Sequence, residues 1–475
     1  MTPQPKHSNP VLAACLEELG WSPKSLARKL NKVFGPGTVA DSAPYHWRDH
    51  ARIPRSPLPM MTAYVLSQET GRVISVGELW QGCAPDSPML VTASGGLELP
   101  WTAQALWKIV EDWVLGGLVD RRQFLAISGS GLAAVVTDYL DGTAGRGSFL
   151  AQSSADTSEA FLLEQIESQL PRLQALDDEH GGARHLGYIG AQFRSIALLL
   201  HEGGRSSAVT ARLLQALAEV GQLAGWMAFD ATHHGLAQRY FVTALRAAHQ
   251  VNDLPLCAHI LADMSFQAAS RDHPADAITL GEAARRAGDA APPAVRASVL
   301  SRLSFAYATA GRHTDFERSR TMARELVDQP PTGHEPRWMY FLTPNHLDCQ
   351  AGYALIHLGM SRNDDGTTAK ARTLLGQGIE LLQTGAHDRS QEAAHQRRAL
   401  YEGAWLALGN SARGELEAVC QVGETAAERL STVRSPRSTE LLRRLAVDLR
   451  RRQRNPYVRS FLPRLEHALQ ATNRS

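Results

Sequence analysis

The sequence predicts an all-α protein: a small N-terminal helical unit followed by a long array of helical hairpins. Three observations predict it. Apolar residues recur at i, i+3, i+4 and i+7 along most of the chain, the one-sided pattern of an amphipathic helix. Ala, Leu, Arg, Glu and Gln, all good helix formers, dominate. Alternating β-branched runs bounded by turns are absent apart from a short stretch at 71–76. With 475 residues, 44% of them hydrophobic, the chain has material for a substantial core and for more than one domain. No stretch approaches the roughly 18 apolar residues of a membrane span, so no membrane partner is expected. The first thirty residues lack the apolar core of a secretory signal. Cys15, Cys83, Cys257, Cys349 and Cys420 are scattered, odd in number and never spaced C-x-x-C. That argues against a disulfide framework or structural zinc and suits a cytoplasmic protein.

Residues 10–19 read as a short amphipathic helix. Trp21-Ser22-Pro23 is a strong helix start, because Ser22 can cap and Pro23 suits the first helical position. That helix runs to about residue 33 with Leu26, Ala27, Leu30 and Val33 on its apolar face, and Gly35-Pro36-Gly37 ends it. A short third helix follows, capped by Asp41 or Ser42 and carrying Tyr45-His46-Trp47-Arg48. It stops before Pro54 and Pro57, and a fourth helix at 58–70 closes a unit spanning 1–82. Residues 83–157 read as a connector with a Trp-rich helix and a Gly/Ser-rich linker. The run Arg121-Arg122-Gln123-Phe124-Leu125 resembles a twin-arginine export signal, but so far from the N-terminus a connecting helix is the better reading.

From 158 to 475 the chain reads as helical hairpins. In the clearest segment the small residues Gly225, Ala228, Ala237 and Ala244 surround Phe241. Small residues let antiparallel helices approach while the aromatic wedges into the next pair, a pattern that resembles the tetratricopeptide repeat. Ser265-Phe266 leads to Ala277 and Ala284, and Ser304-Phe305 leads to Phe316 and Ala323. Further hairpins are expected over 353–382 and 399–430. Such repeats cannot bury their apolar faces alone and stack into an α-solenoid.

Net charge is only +1, but its distribution is uneven. Residues 21–55 carry Lys24, Arg28, Lys29, Lys32, Arg48, Arg52 and Arg55 against Asp41 and Asp49, a local basic patch of the kind that binds phosphate. Ser25-Leu26-Ala27-Arg28-Lys29-Leu30 followed by Trp47 resembles the phage-repressor-like helix-turn-helix. The departures are a spacing of 20 between Ala27 and Trp47, which implies an insertion at 34–40, and Pro44, which is tolerable if the third helix starts at about Ala43. Over its length the chain resembles the actinobacterial regulators that join such a helix-turn-helix to a tetratricopeptide array. That resemblance implies a cytoplasmic transcriptional regulator tied to development or secondary metabolism, and the architecture is shared with peptide-pheromone receptors of Gram-positive bacteria.

On this reading Ser42, Tyr45, His46 and Arg48 face the major groove of double-stranded DNA, with Arg48 suited to a bidentate guanine contact. Lys24, Ser25, Arg28, Arg52 and Arg55 would hold phosphates, and Trp47 would point inward. A single such unit covers little DNA, so a homodimer is expected, with Trp107 and Trp113 as one candidate interface. In the array, Trp226, Phe266 and Phe305 fall at equivalent positions of successive inner helices, with Gln222 and His259 nearby. They form either a groove for a peptide, small-molecule or protein effector, or simple packing between helices. The Arg-rich stretch 429–459 either touches DNA or an acidic partner or is the solvated face of a terminal helix. No H-E-x-x-H, P-loop or G-x-S-x-G motif supports catalysis, and no cofactor or metal is expected. The competing reading is a tetratricopeptide adaptor for protein partners without specific DNA binding.

Overall fold

The computed structural model describes residues 9–34, 38–54, 58–70, single positions and pairs between 74 and 140, 157–330, 333–361, 369–388, 390 and 392–474. It is all-α, with no strand among the described residues. Two compact units divide the chain, 1–142 and 143–475, so the expected connector falls partly in each. Cys83, Trp113, Arg55, the stretch at 121–125 and the linker at 142–156 lie outside the described residues.

The first unit contains α1 (Pro10–Glu18), α2 (Pro23–Phe34), α3 (Ala43–Asp49) and α4 (Leu58–Thr70). Asn9 caps α1 by accepting the Leu12 N–H at 3.0 Å, and its amide donates to the Leu79 carbonyl at 3.0 Å, tying the chain before α1 to the chain after α4. Gly20, at φ +63°, ends α1 where an L side chain would be strained. Ser22 Oγ then accepts the Ser25 N–H at 3.1 Å and starts α2. Leu26, Ala27, Leu30 and Trp47 are buried in one core with Leu12, Leu16, Val65, Leu66 and Trp80. Trp47 meets Trp80 edge-on, ring centroids 6.2 Å apart. The longer turn between α2 and α3 is clasped by Asn31, whose amide donates to the Val39 carbonyl at 2.8 Å and accepts its N–H at 2.9 Å. α3 starts at Ala43 with Pro44 in its first turn, where a missing N–H costs nothing. Ser42 occupies the N-cap position without a side-chain capping bond.

The second unit begins with α5 (Thr157–His180) and α6 (Gly182–Glu202). There follow α7 (Ser207–Asp230), α8 (His234–Gln250), α9 (Leu254–Ser270), α10 (Pro274–Ala287), α11 (Pro293–Thr309) and α12 (His313–Val327). A 3-10 turn at Arg337–Met339 leads to α13 (Pro344–Ser361), α14 (Ala369–Ala386), α15 (Ala393–Arg413), α16 (Leu416–Arg429), α17 (Pro436–Arg450) and α18 (Pro456–Arg474). Odd-numbered helices from α7 to α17 each pack against the next odd-numbered one as well as against their hairpin partner. They therefore form an inner row, with the even-numbered helices behind it.

One turn recurs. Thr232, Asn252, Asp272, Gly311 and Gly414 all adopt positive φ, between +57° and +81°. In each case the next residue's N–H reaches back five residues, as His233 does to the Ala228 carbonyl at 2.8 Å and Arg312 to Tyr307 at 2.9 Å. This left-handed helix ending satisfies orphan carbonyls and reverses the chain within three residues. His233 and His234 sit at such a turn. Close helix approach is visible at Gly225, where an added Cβ would lie 2.5 Å from the fully buried Phe241 ring. Ala237, Ala277 and Phe316, equivalent in the sequence pattern, are all fully buried.

The inner row bends back far enough for α5 to touch both α7 and α15. A buried ion cluster makes the closure. Asp230, at the end of α7, faces Arg397 of α15 at 2.8 Å and Arg437 of α17 at 3.4 Å, while Asp177 of α5 faces Arg397 at 3.5 Å.

Candidate functional site

Each unit carries one candidate site, an exposed helix face in the first and a cavity in the second. On α3, Pro44 and Trp47 turn inward, whereas Ser42, Tyr45 and His46 are exposed. Arg28 on α2 and Arg52 after α3 are also exposed, and neither has an ion pair or side-chain hydrogen bond among the described residues. Ser25 is occupied by Ser22, the two hydroxyls 2.9 Å apart, and Lys24 pairs with Asp41 at 3.2 Å on the surface. Arg48 differs from the expected free base-reading side chain. It grips Asp49 with two bonds, Nε to Oδ1 at 2.7 Å and Nη2 to Oδ2 at 3.1 Å, and lies over the Tyr45 ring. The Asp49 bond raises its pKa further.

In the second unit, the inner row and α5 enclose a cavity of about 460 Å³. Gln222, Trp226, His259 and Phe266 line it, as the sequence pattern suggested, but Phe305 does not. Phe305 is buried behind the wall, 5.2 Å from the Phe266 ring and 5.6 Å from Tyr353. The members of the aromatic stripe are therefore divided between the cavity lining and the packing behind it. The stripe also runs further than three helices: Trp226 stacks on Phe266 at 6.1 Å, Phe266 meets Tyr353 at 6.4 Å, and Tyr353 stacks on Trp405 at 6.0 Å.

Buried charges on the lining pair with others just behind it. Asp263 is fully buried and accepts from Gln222 at 2.6 Å, with Arg302 paired against its other oxygen. His259 stacks on Trp338 at 4.6 Å, and burial lowers its pKa to about 4 despite Asp263. As a neutral ring it accepts from Arg302 at Nδ1, 3.3 Å away, which leaves the proton on Nε2 toward Asp263. Burial lowers His346 as well, to about 3. Among the carboxyls, burial raises Asp177 to about 6 against the pull of Arg397, and Glu402 to about 7, where it meets the Cys349 thiol. Asp230 goes the other way: the Arg397 and Arg437 charges outweigh its burial and hold it below the usual carboxylate range. Asp178 accepts from the Tyr340 hydroxyl at 2.6 Å.

Sequence reasoning missed Arg302, Arg397, Arg437, Asp230 and Asp263. A signal for two of them was present: Asp263 and Arg302 stand alone inside the apolar runs Ile260-Leu261-Ala262-Asp263-Met264 and Val299-Leu300-Ser301-Arg302-Leu303. A lone charge on a buried helix stripe needs a buried partner. The Arg-rich stretch resolves residue by residue. Arg437 enters the cavity. Arg429 is buried and donates to the carbonyls of Ala386 at 2.7 Å and Asp388 at 2.6 Å. Arg451 and Arg454 are exposed.

Among the described residues no cluster of His, Cys, Asp and Glu is arranged to hold a metal, and no helix is long and apolar enough to cross a membrane. Comparison of the chain with protein-family models, with curated proteins and with solved structures finds no match.

Proposed function

We propose that this chain is a cytoplasmic, sequence-specific DNA-binding regulator of transcription, a helix-turn-helix unit joined to a tetratricopeptide-like solenoid that senses an effector. The observation that carries the reading is the division of α3. Its buried face is Pro44 and Trp47, its outward face is Ser42, Tyr45 and His46, and the exposed guanidiniums of Arg28 and Arg52, uncommitted among the described residues, lie on the neighbouring segments. Uncommitted surface arginines are what phosphate contact needs, and an exposed polar helix face is what base contact needs. Arg48 reaches a guanine on this reading only by loosening its hold on Asp49. The effector half rests on the aromatic-lined cavity, whose volume is in the range of small-molecule sites. Effector binding would favour one arrangement of the array, and a homodimer would convert that preference into a change in DNA affinity.

Selection of labelled genomic fragments by the full chain at moderate salt tests the reading. An enriched sequence is expected, with binding weakened by Tyr45→Ala or His46→Ala in a sequence-dependent way. Arg28→Ala and Arg52→Ala should each reduce the slope of log affinity against log salt by about one. No enriched fragment, together with salt dependence unchanged in both arginine variants, would leave the adaptor reading in its place.

A further inference from the structure

The cavity is lined by aromatic rings and by charged groups that are unequally paired. Each of its four carboxyls has a partner: Asp178 the Tyr340 hydroxyl, Glu402 the Cys349 thiol, Asp177 the charge of Arg397, and the exposed Glu392 the His395 ring at 3.5 Å. Its arginines are not equally served. Arg302 has Asp263, and Arg397 has both Asp230 and Asp177. Arg437 has only the far side of Asp230, at 3.4 Å and without hydrogen-bond geometry, and its buried Nε and Nη1 find no acceptor among the described residues. Arg398, also on the lining, is exposed and has no ion pair among the described residues. Among the described residues, the buried side-chain atoms of this lining without a hydrogen bond are Asp177 Oδ1, Glu402 Oε2 and Arg437 Nε and Nη1, and of these only the Arg437 atoms are donors.

Around Arg437 the surroundings are aromatic. Its guanidinium carbon lies 4.3 Å from the Tyr401 ring centroid, 5.3 Å from Trp226, 5.2 Å from Phe229 and 5.8 Å from Phe266. A guanidinium among rings keeps its N–H donors, and a carboxylate is the acceptor that can take two of them at once. A buried donor without an acceptor is costly, so a ligand that supplies one gains more than it would at a surface arginine.

We propose that this cavity binds a molecule carrying a carboxylate next to an aromatic body, with the carboxylate on the Arg437 edge, Arg398 as a second cation, and the body against Trp226 and Tyr401. A free aromatic acid and the C-terminal residue of a peptide share this chemistry. The proposal rests on the sensing half of the function proposed above and does not depend on DNA binding, so failure of the fragment selection leaves it standing.

The test uses the full chain and calorimetry, with quenching of tryptophan fluorescence as a second readout. Phenylacetate and 1-naphthylacetate are each compared with their carboxamides, and a short peptide ending in Phe is compared as free acid and as C-terminal amide. At least one acid should bind at millimolar concentration or below, and roughly tenfold or more tighter than its uncharged amide. Preference confined to the peptide assigns the site to a chain terminus, and preference among the small acids assigns it to a metabolite. Arg437→Gln should abolish the acid–amide difference. Arg398→Gln, at an exposed position free of ion pairs, should reduce that difference without altering the fold by circular dichroism. Acids and amides of equal affinity, no binding by any acid, or an acid preference that survives both substitutions would overturn the proposal.

Discussion

Asp230→Asn removes the charge on which the closure of the second unit turns. The carboxylate is fully buried, and it faces Arg397 at 2.8 Å and Arg437 at 3.4 Å. At an effective dielectric of about 20 the two attractions are roughly 6 and 5 kcal/mol before desolvation. Most of this is offset by the cost of burying the charges. Removing one partner of a buried pair nevertheless costs about 3–5 kcal/mol, because the remaining charges stay buried. Asp177, 3.5 Å from Arg397, still offers a second carboxylate, so the low end is expected, about 3 kcal/mol. Thermal unfolding of the full chain at pH 7 should show a fall of about 4 °C in the transition of the second unit. In a cycle with Arg397→Gln, the double variant should be less destabilised than the sum of the singles by at least about 1 kcal/mol. The Asp177 carboxyl, now the main partner of Arg397, should titrate below its present value of about 6. An Asp230→Asn protein that melts within about 1 °C of the parent, or additive single variants, would refute the reasoning.

Three further outcomes are expected. Glu402 has its folded pKa raised to about 7 from 4.5, so its stabilising contribution is full below pH 4.5 and lost as pH rises through 7. Glu402→Gln should therefore gain about 1–3 kcal/mol over the parent at pH 8 and little at pH 4.5, read as a melting difference that grows with pH; an equal difference at both would exclude the titration. Thr232 is a β-branched residue at φ +63° in a turn whose counterpart is Asn252, and Thr232→Asn should raise stability by about 1 kcal/mol in denaturant unfolding. Arg429→Met strands the carbonyls of Ala386 and Asp388 and should cost about 2–4 kcal/mol, whereas Arg451→Ala, in the same basic stretch but exposed, should stay within about 0.5 kcal/mol.

Much of the helical plan is legible because its signals are local. The expected fourth helix coincides with α4, the Ser22-Pro23 start is the start of α2, and Pro44 fits because α3 begins at Ala43. The pattern of small residues around Phe241 describes a real close approach at Gly225. The cavity was only half legible. Trp226 and Phe266 are found by periodicity, but periodicity cannot tell a ring on the wall from one behind it, and Phe305 is behind it. The Asn31 clasp on Val39 was equally hidden, since nothing in an asparagine's neighbours announces which backbone it will hold.

The sequence by itself determines an all-α chain, several of its helix starts and part of the apolar stripe that stacks the inner row. These follow from backbone preference and from periodicity, which act within a few residues. Only the tertiary structure decides that the row bends back on α5, that Asp230 meets Arg397 and Arg437 across about 170 and 210 residues of chain, and that Arg437 leaves a basic stretch to lie among four rings. Small rotations between successive helix pairs accumulate along the row, and their sum depends on the packing of every pair at once. A buried charge is stable only where that sum delivers its partner.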